Sequence, residues 1–173
     1  MSSLLSDNPL PRHALDARQD ALYFNLKQLP RRMQQVFLCS RLDNLPFPVI
    51  AEQLGIPLAT VEHDMLLALE ACRTHSRGIE DTISTQASGW YIKLQSPLTT
   101  PSERIDFRRW LDAEPLHLVA FHDTELRWRQ TLAPAQLLGA GQWYRHCHRN
   151  LMLRGIIAAV VALVLAMELY TFL

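Results

Sequence analysis

The sequence lacks an excess of charge of either sign: 17 Lys and Arg face 17 Asp and Glu, for a formal net charge of zero. A neutral total gives no general attraction to a polyanion. There are 3 cysteines, Cys39, Cys72 and Cys147, with no C-x-x-C pair. That odd count excludes a disulfide framework and a cysteine zinc site, and it suits a reducing cytoplasm. With 6 glycines in 173 residues there is no glycine-rich phosphate loop, and no Ser/His/Asp arrangement stands out. We therefore expect no enzyme, no cofactor and no metal. His146-Cys147-His148 does not change this, because residues two apart on a helix do not share a face and no acid lies beside them. The start, MSSLLSDNPLPRH, has no basic stretch followed by an apolar run, so no signal peptide is expected. Alternating strand patterns are also missing.

Helical spacing is what the chain does contain. At 49% hydrophobic and 20% charged it can form cores. Leu15, Leu22, Leu26 and Leu29 predict an amphipathic helix over 12–28. Pro30 opens another over 30–43, with Met33, Val36, Phe37, Cys39 and Leu42 apolar. Pro46 and Pro48 open a short helix that Gly55 ends after Leu54. Val61, Met65, Ala68, Leu69 and Cys72 then mark one buried face of a helix from Leu58 to His75. A short helix, a glycine turn and a second helix are how a helix-turn-helix presents a recognition helix.

Charge is distributed unevenly along this half. Residues 1–41 hold six Lys and Arg and three acids, whereas 42–72 hold five acids and no Lys or Arg. A recognition helix without positive charge is poorly suited to phosphate. Its outward positions, Thr60, Glu62, His63, Asp64, Leu66 and Leu67, are the candidate face for DNA or a partner.

Polar residues 77–85 read as a linker. Three helices are expected after it: 83–95 with Trp90, Ile92 and Leu94; one starting at Pro101 with Ile105, Phe107, Trp110 and Leu111; and one after Pro115 with Leu118, Val119, Phe121, Leu126 and Trp128. So many aromatics in three short helices are expected to be mainly core, with Arg108 and Arg109 flanking Trp110 as candidate contacts to acids. From Gly155 to Leu173 the chain reads GIIAAVVALVLAMELYTFL, with Glu168 as its one charge. As a helix it would be about 28 Å long, close to a bilayer core of about 30 Å. Arg145, Arg149 and Arg154 precede it, so the positive-inside rule predicts a single span with residues 1–150 in the cytoplasm.

Leu29-Pro30, Phe37, Ile50-Ala51, Leu54-Gly55, Thr60-Val61 and Ala68-Leu69 together resemble region 4 of extracytoplasmic-function sigma factors, over roughly 14–75. Cys72-Arg73 resembles the helix end of the iron-uptake members. The resemblance implies a promoter-reading helix-turn-helix. Family members commonly carry Lys or Arg where this chain has Glu62, Asp64 and Leu67, and Pro57 stands where a capping Ser is usual. Residues 1–11 are too short for the family's region 2, so a complete sigma factor is not expected.

Ala87, Trp90, Leu94, Phe107, Trp110-Leu111, Glu114-Pro115, His117, Ala120 and Trp128 resemble the cytoplasmic N-terminal domain of FecR-type anti-sigma regulators, over 86–130. That family continues through one membrane helix into a periplasmic sensing domain, for which residues up to Leu173 leave no room. The resemblance makes Trp90, Phe107, Trp110, Leu111, Pro115, His117 and Trp128 the motif of the domain, with His117 in a capping role at a turn.

The expected architecture is all-α. It comprises a flexible N-terminus (1–13), a helix-turn-helix bundle (14–76), a linker (77–85), a small three-helix anti-sigma-like domain (86–130), a juxtamembrane segment (131–154) and a transmembrane helix (155–173). The expected function is a membrane-tethered, FecR-like regulator of transcription initiation in the bacterial inner membrane, implied by resemblance to serve iron-uptake signalling. Its expected partner is a sigma factor or RNA polymerase, with DNA binding weak. The competing expectation is a membrane-anchored helix-turn-helix DNA-binding regulator.

Overall fold

The computed structural model describes residues 12–73 and 79–147, and every regular element among them is helical. Eight α-helices run in order: α1 Arg12–Gln28, α2 Arg31–Asp43, α3 Phe47–Leu54, α4 Leu58–Ala71, α5 Ile79–Gln95, α6 Pro101–Ala113, α7 Pro115–Gln130 and α8 Leu132–Leu138. A 3-10 stretch, Ala140–Cys147, follows and is kinked at Gly141 and Gln142.

Proline and left-handed residues punctuate the first half. Pro30, Pro46 and Pro57 stand at the N-caps of α2, α3 and α4, in extended backbone geometry. Each has no N–H to lose and a φ already suited to helix entry. The Gln34 side-chain amide donates to the Lys27 and Leu29 carbonyls, both at 2.8 Å, and so satisfies acceptors left over where α1 ends. Asn44 (φ 51°) and Gly55 (φ 63°) close α2 and α3 in the left-handed region, where their N–H groups return to carbonyls of the last turn. In the second half Thr100 and Glu103 form a reciprocal capping box at the start of α6.

The core crosses the expected boundary between two domains. Leu22 and Leu26 of α1, Val36 to Cys39 of α2, Phe47 and Ile50 of α3, and Val61, Met65, Ala68 and Leu69 of α4 are buried in one cluster. Ile92 of α5, Ala135 of α8 and Tyr144 belong to that same cluster. A smaller cluster of Ile83, Ala87 and Ala120 lies under Trp110 and Phe121. α5 packs on both α4 and α7, and α8 lies against α1 and α2.

Three expectations are corrected. The helix expected from 83 begins at Ile79, so most of the expected linker 77–85 forms the first turns of α5. The part of the expected juxtamembrane segment that is described is not an extended lead-in: α8 and the 3-10 stretch pack back on the helix-turn-helix. The membrane tether, and with it the transmembrane fold class and the inner-membrane localisation, is withdrawn: among the described residues no helix is long and apolar enough to cross a membrane. The apolar run Gly155–Leu173 on which that expectation rested lies outside the described residues.

Candidate functional site

The recognition helix α4 is held from both sides. Val61, Asp64, Met65, Ala68 and Leu69 point inward, at the three- and four-residue steps that give one helix a single buried face. Asp64 is the unexpected member of that stripe, fully buried where an outward acid was expected. Arg32 of α2 accounts for it, donating from Nε to Oδ2 at 2.7 Å and from a terminal nitrogen to Oδ1 at 3.0 Å. A planar guanidinium matches a carboxylate in this two-pronged way. The carboxylate in turn holds the Arg32 guanidinium above its ordinary pKa, chiefly through these hydrogen bonds. Asp64 is therefore a rivet between α2 and α4 and no part of the outward face.

The remaining α4 residues divide by exposure. His63 and Leu67 are exposed, and Thr60, Glu62 and Leu66 are half-buried. Leu66 packs against the main core. What the front of α4 shows to solvent is thus a hydroxyl, a carboxylate, an imidazole and leucine, with no Lys or Arg from residue 42 to residue 72. Behind it, Arg73 ties the end of α4 to α5: it donates to Glu70 at 2.6 Å and Thr85 Oγ1 at 2.7 Å, and pairs with Asp81. Burial pushes the Cys72 thiol up to about 12, against an opposing pull from Arg127.

The basic residues of α2 are engaged with other parts of the chain, although Arg31 and Arg32 remain exposed. Arg31 lies 4.2 Å from the Trp143 ring centroid. Arg41 donates to Thr131 Oγ1 and to the Arg129 carbonyl, each at 3.2 Å, and stacks over Trp128. At the end of α2, Asp43 accepts from the Tyr144 hydroxyl at 3.2 Å and from Arg145 Nε at 2.9 Å. Tyr144 is 2% exposed, so this contact closes over α2 rather than touching its rim. Residues 128–145 thus lie as a strap across the helix-turn-helix.

The aromatic motif forms a relay that reaches this strap. Trp110 stacks flat on His117, with ring centroids 4.5 Å apart, and His117 Nδ1 donates to the Trp110 carbonyl at 2.6 Å. A carbonyl only accepts, so Nδ1 carries the hydrogen, and the ring closes the end of α6 against the start of α7. Trp90 and Phe107 lie 5.6 Å apart, Phe107 and Phe121 4.9 Å. Tyr91 meets Phe121 at 6.2 Å and Trp128 at 6.1 Å, and Trp128 meets Phe37 of α2 edge to face at 5.8 Å. These are favoured offset and edge geometries, each adding about 0.5–1.5 kcal/mol to the area term. Trp90, Phe107, Trp110, Leu111, His117 and Trp128 are half-buried and Pro115, at the first turn of α7, is exposed. α6 has no buried residue at all, so these aromatics form a seam between helices rather than a sealed core.

Sequence reasoning missed the strap. Thr131, Trp143, Tyr144 and Arg145 sat in a stretch read as a lead-in to a membrane. The available signal was an aromatic pair, Trp143-Tyr144, in a segment assigned no packing role.

Comparison with known families agrees with this division of the chain. Residues 20–72 match the family model described as Sigma-70, region 4. Residues 85–126 match the model described as Domain of unknown function (DUF4880). Neither curated proteins nor solved structures give a significant match. The chain carries a helix-turn-helix similar to sigma-70 region 4 and, joined to it in one core, a helical region similar to DUF4880.

Proposed function

We propose that this protein regulates transcription initiation through contact with a protein of the initiation machinery, a sigma factor or RNA polymerase, using a helix-turn-helix that no longer reads DNA. In this reading the first half is of the extracytoplasmic-function sigma type and the second is of the FecR anti-sigma type. The protein acts by binding, without catalysis.

The observation that carries the reading is the state of the positive charge. A DNA-reading helix needs cations toward phosphate and donors toward base edges. Here the front of α4 has neither Lys nor Arg, and Arg31, Arg32 and Arg41 of α2 are engaged with Trp143, Asp64 and Thr131. Exposed Leu67 on α4, beside Leu66 and Leu58 that already pack on the core, suits helix-on-helix contact better than a sugar-phosphate backbone. The second half supports the same reading, because its α5 already engages α4 as one helical protein engages another.

The test is direct titration of the purified full chain against three ligands: an extracytoplasmic-function sigma factor, core RNA polymerase, and promoter-like duplex DNA at several salt concentrations. Saturable binding to one of the proteins, with weak and sequence-independent DNA binding, is the expected outcome. Tight, sequence-specific DNA binding at physiological salt would replace this reading with a DNA-binding regulator.

A further inference from the structure

A second arginine cluster lies away from the face of α4. Between α1, α5 and α7 is a cavity of about 290 Å³ whose walls include Arg18, Arg73, Ser84, Asp123, Arg127 and Gln130. Its three guanidinium groups are not equivalent. Arg73 is committed to Glu70, Asp81 and Thr85. Arg18 and Arg127 have no ion pair among the described residues. Arg18 is exposed, so its charge is solvated at little cost. Arg127 is half-buried, and its one side-chain hydrogen bond is a long one, 3.4 Å to Ser88 Oγ. A guanidinium has five donors; burial disfavours the charge of Arg127, and Glu70 and Asp123 ease that cost through space without accepting a hydrogen bond from it, so most of its donors are left over. Evolution has other residues for a merely apolar seam, so a half-buried arginine with donors to spare points to an anion that completes it.

Asp123 on the same wall narrows the chemistry. Its carboxylate repels a bare polyanion but accepts from a hydroxyl. Asp123 and Arg127 stand one turn apart on α7, and Arg18 lines the same cavity from α1, a set that suits a molecule carrying both a phosphate and a hydroxyl. The cavity is at the small end of ligand sites, which run from about 300 Å³ upward.

We propose that this cavity binds a small phosphate monoester, with Arg18 and Arg127 holding the phosphate and Asp123 accepting from a ligand hydroxyl. Arg–phosphate contacts are among the strong, geometrically matched hydrogen bonds. Arg18 belongs to α1 of the sigma-like half and Arg127 to α7 of the other half, so the ligand bridges the two. Binding therefore stabilises the strapped arrangement over any opened one.

Calorimetric titration and thermal unfolding of the full chain test this, with inorganic phosphate and glycerol 3-phosphate as probes and sodium chloride at matched ionic strength as the blank. The expected result is saturable binding, tighter for glycerol 3-phosphate, with an upward shift of the unfolding midpoint that chloride does not reproduce. Arg127→Gln should weaken both probes about tenfold, as for loss of a charge-assisted hydrogen bond. Asp123→Asn should erase the preference for glycerol 3-phosphate while retaining inorganic phosphate. Should Arg127→Gln fail to fold, Arg18→Gln, at an exposed position, gives the same reading. Absence of saturable binding at millimolar probe, or binding unchanged in both arginine variants, would overturn the proposal. So would equal competition by a duplex oligonucleotide, which would assign the arginines to a nucleic-acid backbone.

Discussion

Arg32 and Asp64 lie 32 residues apart in sequence and join α2 to α4 by two hydrogen bonds of 2.7 and 3.0 Å, with the carboxylate wholly buried and the guanidinium half-exposed. This asymmetry has a measurable consequence. Arg32→Ala leaves a buried carboxylate unpaired, whereas Asp64→Ala releases an arginine that reaches water. Removing one partner of a buried pair is more damaging than removing both. The unfolding midpoint should fall more for Arg32→Ala than for Asp64→Ala, and the double variant should be no worse than Arg32→Ala alone. Equal effects of the two single changes would show that the pair is not buried as described.

The joint core predicts how the chain unfolds. Because Ile92, Ala135 and Tyr144 belong to the same cluster as Phe37 and Leu26, the two halves should unfold together. Far-UV dichroism and tryptophan fluorescence should give coincident transitions. Trp128→Ala removes the ring between Tyr91 and Phe37. It should cost about 3–5 kcal/mol, as other large aromatics do, and should separate the two transitions. Two transitions in the unaltered protein would contradict a shared core.

The capping box of α6 gives a pH dependence. Lys93 first, then Thr100, hold the Glu103 carboxyl down to about 2 from its ordinary 4.5. A carboxyl depressed in the folded state binds fewer protons there than in the unfolded chain. Its contribution is therefore complete above about 4.5 and fades as pH falls towards about 2. Glu103→Gln should lower the unfolding midpoint near neutral pH, and the gap to the parent protein should close across that acid range. A gap that stays constant down to the acid end would show that the carboxylate's charge is irrelevant to the cap.

On the recognition helix, only residues that face outward are useful for restoring charge. Glu62→Lys with Leu67→Arg should raise affinity for duplex DNA about tenfold at low salt, with the gain shrinking as salt increases, since each new phosphate contact releases counterions. Asp64→Arg, by contrast, should unfold the helix-turn-helix rather than improve it, because it puts an unpaired cation beside Arg32 in a fully buried position. Filter binding across a salt series, with dichroism to check the fold, separates the two results. An unchanged affinity in the double variant would show that α4 is covered in solution.

The helices were legible wherever proline, glycine and spacing acted together. Pro46 and Gly55 bracket α3, and the Val61–Met65–Leu69 steps define the buried face of α4. These are local signals, set by backbone geometry and a helical period. Asp64 was misread because its position matches the exposed cations of a resembling family, while its partner sits on another helix and leaves no trace in local pattern. The strap was missed for a similar reason. Tyr144 and Arg145 acquire meaning only from Asp43, 101 and 102 residues earlier. A segment rich in Ala, Gly and aromatics before an apolar run looked like an approach to a bilayer, and periodicity cannot distinguish packing on one's own chain from packing elsewhere. The aromatics expected to be mainly core instead line a half-open seam, because three short helices have too little volume to enclose so many rings.

The distance between Asp43 and its partners also sets a schedule during synthesis. At about 5–20 residues per second, the ribosome needs roughly 5–20 s to proceed from Asp43 to Arg145. During that interval the helix-turn-helix exists without the segment that later lies across it. A nascent chain therefore presents an uncovered α2 that the finished protein does not, and any partner able to reach it at the polysome meets a different surface from one that arrives after release.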